Sequence, residues 1–216
     1  MKLIDGKKIA AEIKEEIKKE VSEMIDNDLE GPHLAAVLVG EDPASQTYVK
    51  SKEKACREAG IISSIYNLPA NTSQKELLET IDFLNNDPEV DGFIVQLPLP
   101  DHIDEDTVIQ QIRPEKDVDG FHPVNIGRMV LGLPAYISAT PFGILKLIER
   151  SGIETEGKHC VVVGMSNIVG TPVSILLSRK SKTGNATVTL CHSKTKDLEE
   201  ITKTADILIA AIGKKE

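Results

Sequence analysis

Four clusters of residues have the makings of a functional site. The first is Tyr48-Val49-Lys50-Ser51-Lys52. On a helix Tyr48 and Lys52, four apart, share a face. Lys50, Lys54 and Arg57 share another, about 200° away at 3.6 residues per turn. Lys52 lies three residues from Val49 and four from Cys56, on the stripe that should face a core. A lysine there either snorkels out, its stem covering the core, or is held in a cleft. Held in a cleft it is desolvated, its pKa falls, and it can act as an acid or base at neutral pH.

The second is Gln96, near the end of the apolar run Gly92-Phe93-Ile94-Val95-Gln96-Leu97. Ligands of open α/β sheets collect beyond the carboxyl ends of the strands. Gln96 either contacts such a ligand, orients a catalytic neighbour, or bonds a nearby loop backbone. The third is Asp117-Val118-Asp119-Gly120, with His122 close behind. Paired carboxylates bind ligands, move protons or form turns, and Asp-Gly is an ordinary turn pair. No His or further carboxylate flanks them at ligand spacing, so no metal site is expected.

The fourth is Gly164-Met165-Ser166-Asn167-Ile168-Val169-Gly170-Thr171-Pro172, after a strand-like run and opening a helix-like one. Gly164 permits a tight turn, Ser166 can donate to a phosphate, Gly170 allows close helix packing, and a helix N-terminus favours an anion. The strict G-x-G-x-x-G fingerprint is absent. The next strand ends in Cys191-His192-Ser193-Lys194. The acidic residue that binds the ribose of NAD is missing there, whereas Ser193 and Lys194 are compatible with a 2′-phosphate.

These residues need elements to hold them. His33–Val39, Ile61–Leu68 and Gly92–Leu97 are nearly continuous apolar runs, as expected of parallel strands covered on both faces. Residues 5–26 form a helix with Ile9, Ile13, Ile17, Val21 and Met24 on one side. Asp42–Ala59 is a helix with an Asp42 N-cap, Pro43 at its first position and Gly60 closing it. Thr72–Asn86 is another, capped by Thr72 or Ser73, with Leu77, Leu78, Ile81 and Leu84 in one stripe. Residues 98–140 hold five prolines and weak periodicity, and read as a long functional segment or domain connection. After a helix at Pro141–Arg150 come strand Lys158–Val163, helix Thr171–Lys180, strand Ala186–Cys191, helix Lys196–Lys203 and strand Asp206–Ala211. That is the β-α-β-α-β order of a mononucleotide-binding half. No internal repeat is visible. The fold class is α/β: an N-terminal catalytic domain with a parallel sheet, then a partial Rossmann-like dinucleotide-binding domain.

Composition narrows the function. A net charge of −9 with no Trp supplies no basic stripe, so no nucleic-acid partner is expected. No apolar run reaches the roughly 18 residues that span a membrane, and residues 1–6 carry no signal-peptide pattern. A cytoplasmic protein follows, with Cys56, Cys160 and Cys191 as reduced, mostly buried thiols.

Taken in order, Val39-Gly40-Glu41-Asp42-Pro43-Ala44-Ser45, Tyr48, Lys52, Val95-Gln96-Leu97-Pro98-Leu99-Pro100, Pro114-Glu115-Lys116-Asp117-Val118-Asp119-Gly120 and Val161-Val162-Val163-Gly164 with Ser166 and Ile168-Val169-Gly170 resemble the methylenetetrahydrofolate dehydrogenase/cyclohydrolase family over essentially the whole chain. The resemblance implies a folate-binding catalytic domain over residues 1–138 and an NADP-binding domain over 139–216. It puts catalysis on Tyr48, Lys52, Gln96 and Asp119, and substrate binding on these with Val95 and Leu97. It puts the cofactor on Gly164, Met165, Ser166, Ile168, Gly170, His192 and Ser193, and implies a homodimer. The implied chemistry is oxidation of methylenetetrahydrofolate to the methenyl compound with NADP, then hydrolysis to 10-formyltetrahydrofolate. Many relatives have Arg where Met165 stands, so that support for a 2′-phosphate is missing here. The family also continues past Gly213, so the chain is expected to lack its C-terminal segment. Two rivals follow from the residues. A short-chain dehydrogenase would also pair Tyr with Lys, but after the glycine turn, whereas Tyr48 precedes Gly164. A truncated module that binds ligands without turning them over is the alternative from another class.

Overall fold

In the computed structural model, which describes residues 3–213, the chain forms two compact units. One runs from Lys7 to Pro123; the other runs from Val124 on and takes in the residues up to Gly6. The first contains β1 (His33–Val39), α2 (Pro43–Ala59), β2 (Ile62–Leu68), α3 (Gln74–Asn86), β3 (Gly92–Val95) and α4 (Glu105–Gln111), with α1 (Gly6–Asp26) before them. The second contains α5 (Pro123–Val130), α6 (Ala139–Arg150), β4 (His159–Val163), α7 (Gly170–Ser178), β5 (Thr187–Cys191), α8 (Leu198–Lys203) and β6 (Ile207–Ala210).

Each unit holds a three-stranded parallel sheet with the first strand in the middle: β2-β1-β3 and β5-β4-β6. The central strands are the most apolar. Ala35 to Val39 of β1 and Cys160 to Val162 of β4 are all buried. Leu77, Ile81 and Leu84 of α3 join Val37 and Phe93 in the first core. Val173, Leu176 and Leu177 of α7 pack on Cys160 and Val162 in the second.

The helix ends follow local chemistry. Asp42 accepts the Ser45 N–H at 2.7 Å, Pro43 starts α2, and Gly60 ends it at φ 79°. Ser73 and Glu76 form a reciprocal capping box at the start of α3. Two expectations need correction. Residues 98–140 are not irregular throughout: they hold α4, capped by Asp104 through the Thr107 N–H at 2.7 Å, and α5. Helices of 7 and 8 residues are too short to display periodicity. On α1, Ile9 and Val21 are buried, but Ile17 and Met24 reach solvent.

A feature that the sequence hides recurs in both units. His33 opens β1, and its backbone N–H donates to Asp91 Oδ2 at 2.8 Å while the Asp91 N–H returns a bond to the His33 carbonyl. Its ring joins the Glu89 carbonyl through Nδ1 and Ser64 Oγ through Nε2. His159 opens β4 and does the same with Asp206 Oδ2, the Thr204 carbonyl and Thr189 Oγ1. Each histidine thus clasps the starts of three neighbouring strands.

Candidate active site

Lys52 and Tyr48 project from one face of α2, as their spacing requires. The Lys52 Nζ stands 4.7 Å from the Tyr48 ring centroid, within cation–π range. It lies 3.9 Å from Asp119 Oδ1. The two charged side chains are only 28% and 23% exposed, so this is a partly desolvated pair, not a surface ion pair. Burial holds the Lys52 ammonium below the usual lysine value, with Asp119 opposing it. Burial also pushes the Asp119 carboxyl up; Lys52 pulls it down, and Asp117 adds to the rise. A lysine easier to deprotonate beside a carboxylate easier to protonate is an acid–base arrangement. Tyr48 is 55% exposed and offers a ring face to a ligand.

The readings of the Asp117–Asp119 pair divide between its two members. Asp117, 2% exposed, accepts the N–H groups of Phe121 at 3.3 Å and His122 at 2.8 Å, as a turn former does. Gly120 sits at φ 69°, which suits glycine in that turn. Asp119 faces Lys52. The segment runs beside β3, joined to it by a parallel bridge between Phe93 and Asp117. A cavity of about 10 Å³ next to Asp119, also lined by Val95, Leu97 and Phe121, is about the size of one water molecule.

Gln96 continues the β3 ladder, its N–H donating to the Val37 carbonyl at 2.9 Å. Its Nε2 donates to the Leu97 carbonyl at 2.6 Å, so the loop-bonding reading holds for one end of the amide. The other end, Oε1, is buried without a hydrogen-bond partner. A buried unpaired acceptor carries a desolvation cost that a ligand donor would relieve.

In the second unit β4 leads into Gly164 at φ 112°. A side chain on Gly164 would run into the Ala211 carbonyl, and one on Gly170 into the Gly164 carbonyl. The two glycines therefore fold the turn tightly against the start of α7. Ser166 Oγ accepts the Val169 N–H at 3.2 Å, which leaves its own proton to donate outward. Met165 and Ile168 are about half exposed on the same turn. The Gly164 N–H donates to the Cys191 carbonyl at 2.8 Å, which brings the end of β5 alongside. There His192 Nδ1 accepts the Lys194 N–H at 3.1 Å, while Ser193 and Lys194 stay exposed. A glycine cradle beside an exposed hydroxyl and an exposed lysine fits a dinucleotide with an extra phosphate.

The sequence reading missed Arg113, Lys116 and Asn85, which tie the Asp119 segment to α3. Its one signal was that α3 has no basic residue in its last turn to serve its terminal carbonyls.

The chain is similar to known proteins along its length. The bifunctional protein FolD of Porphyromonas gingivalis is 55% identical over 215 residues, all of this chain and 73% of that protein. Its counterpart in Flavobacterium johnsoniae is 56% identical over 216 residues, again all of this chain and 73% of that one. The crystal structure of the bifunctional enzyme from Campylobacter jejuni superposes with a TM-score of 0.93 at 50% identity, over 99% of this chain and 74% of that one. The Trypanosoma brucei dehydrogenase-cyclohydrolase, solved with NADP cofactor and inhibitor, superposes at 0.91 and 35% identity, over 99% and 72%. The family profile for the tetrahydrofolate dehydrogenase/cyclohydrolase catalytic domain matches residues 4–119, and that for its NAD(P)-binding domain matches residues 138–216. The chain belongs to the tetrahydrofolate dehydrogenase/cyclohydrolase family.

Proposed function

We propose that the chain oxidises 5,10-methylenetetrahydrofolate to 5,10-methenyltetrahydrofolate with NADP and then hydrolyses the product to 10-formyltetrahydrofolate. The observation that carries the reading is Lys52, its ammonium destabilised by burial, held between the Tyr48 ring and Asp119. NADP, when bound, supplies the hydride acceptor. Removal of hydride from a carbon between two nitrogens leaves a cation those nitrogens stabilise, so this chain's part in that step is positioning. Tyr48 packs on the folate, and Val95, Leu97 and the unpaired Gln96 Oε1 line its seat. Asp119 accepts from adjacent N–H donors of the pterin. In the hydrolysis, neutral Lys52 takes one proton from water as its oxygen attacks the methenyl carbon; as the carbon–nitrogen bond breaks, the ammonium gives that proton to the leaving nitrogen and the new hydroxyl loses its own to solvent, leaving the formyl carbonyl. The test is the Lys52→Ala enzyme: folate and NADP should still bind while methenyl hydrolysis is lost.

We take residues 1–138 as the folate-binding domain and 139–216 as the NADP-binding domain, with Gly164, Met165, Ser166, Ile168, Gly170, His192 and Ser193 as the cofactor contacts. The profile boundaries at 119 and 138 support this division. Family resemblance supports a homodimer, which sedimentation equilibrium would detect. Three buried free cysteines suit a reducing cytoplasm, and among the described residues no helix is long and apolar enough to cross a membrane.

A further inference from the structure

Asp119 lies outside any helix or strand, on a segment that ordinary loop mobility would blur. Besides its bridge to β3, the segment is fixed by α3. The Lys116 ammonium donates to the Leu84 carbonyl at 2.9 Å and to the Asp87 carbonyl at the end of the same helix. Asn85, only 4% exposed, spans the joint: its Nδ2 donates to the Gln111 carbonyl at 2.8 Å, and its Oδ1 accepts the Arg113 N–H at 2.9 Å. Arg113 adds bonds to the Asn85 carbonyl and to Asn86 Oδ1. The backbone is held from the other side, where the Phe93 N–H donates to the Lys116 carbonyl at 2.9 Å. Gly92 lies so close beneath the segment that a side chain there would strike Val118.

Lys116 and Asp119 are three residues apart, at most about 10 Å of chain. One reaches α3 and the other reaches Lys52 on α2. A lysine on the last carbonyls of a helix also meets the negative end of its dipole. The anchor therefore sets where the Asp119 carboxylate stands relative to the Lys52 ammonium.

We propose that Lys116 and Asn85 are positioning residues of the folate reaction, acting through Asp119. This rests on the assignment of Lys52 and Asp119 above. The expected signature differs from plain destabilisation. With Asp119 displaced, only Cys56, the weaker of the two opposing groups, is left against burial at Lys52, and the lysine loses its proton at lower pH.

The experiment compares Lys116→Met, Lys116→Arg, Asn85→Ala and Asp119→Asn with the parent chain. It reads folate KM, NADP KM and the pH profile of methenyl hydrolysis. Lys116→Met and Asn85→Ala should raise the folate KM about tenfold, given that a displacement near 1 Å can cost a hundredfold. They should move the rising limb of the pH profile down, as Asp119→Asn does, and leave the NADP KM unchanged. Lys116→Arg, which can still serve both carbonyls, should restore the folate KM to within about twofold. If Lys116→Met does not fold, Lys116→Gln, whose shorter side chain does not reach both carbonyls, takes its place with the same expectations. An unmoved pH profile in the anchor variants, with a shifted profile in Asp119→Asn, overturns the positioning role alone. Equal changes in folate and NADP KM also overturn it. An Asp119→Asn enzyme indistinguishable from the parent overturns both this proposal and the active-site reading beneath it.

Discussion

Two carboxylates separated by a single residue can do opposite work when burial and partners differ, and Asp117 and Asp119 show how. Asp117 spends its oxygens on two backbone N–H groups, while Asp119 keeps its charge for Lys52. Lys52→Ala should lower methenyl hydrolysis at least a hundredfold, the lower range for a lost acid–base group, with folate and NADP still bound. Single-turnover hydrolysis beside binding titrations would check it, and full hydrolysis in the variant would falsify the role. Asp119→Asn should weaken folate by about 1–3 kcal/mol, through one acceptor lost from a buried donor pair, and leave NADP alone. It should also move the rising limb of the hydrolysis profile to lower pH, because Asp119 opposes the depression of Lys52. The stability signs differ. The raised Asp119 value means a contribution present below its unfolded pKa and lost as pH rises through the folded one. The depressed Lys52 value means a contribution present above its unfolded pKa and lost as pH falls through the folded one. At the cofactor turn, Ser193 and Lys194 should favour NADP over NAD. Initial rates with both cofactors decide this; equal use of NAD would show that Met165 outweighs them.

At the scale of elements, β1 was legible end to end, since five successive buried residues leave no ambiguity about a covered strand. The α2 and α3 termini were legible because Asp42, Pro43, Gly60 and Ser73 act on neighbouring backbone. The Lys52 stripe was visible, but whether the lysine snorkels or stays held depends on Asp119, 67 residues away in the chain. Short α4 and α5 and the Lys116 anchor depend on contacts that spacing cannot display. The histidine clasps escaped for the same reason. His33, Ser64 and Asp91, like His159, Thr189 and Asp206, are ordinary residues far apart in sequence, and only strand pairing brings them together. Each clasp offers a direct test. His159→Leu removes the donor from the Thr204 carbonyl and the partner of Thr189, and should destabilise by about 1–3 kcal/mol in urea unfolding. His159→Asn should recover part of that loss, because its amide can stand where Nδ1 does. Equal stability of both variants and the parent would show that the clasp only decorates strands already held by their ladders.

At the scale of the molecule, the two units differ in what they should feel from each ligand. The cores of the first draw on residues between Ala35 and Val118, and the core of the second on residues between Ile126 and Ala211. Each of the three core clusters is built from residues of a single unit. A ligand that binds only folded protein stabilises its host by about 2.7 kcal/mol at a hundred times its Kd, equivalent to roughly a hundredfold slowing of exchange through opening. NADP at that concentration should slow amide exchange most at Val161, Val162 and Leu190, in the strands flanking the Gly164 turn. A folate inhibitor should instead act most at Ala36, Val37 and Ile94, on the two strands that carry Gln96 and pack against Val49 of α2. The net charge of −9 sharpens this expectation, since both anionic ligands must be held by local donors and not by the field of the whole protein. Hydrogen-exchange mass spectrometry with each ligand in turn is the measurement. NADP protecting β1 and β3 while leaving β4 and β5 unchanged would overturn the assignment of cofactor and folate to their units.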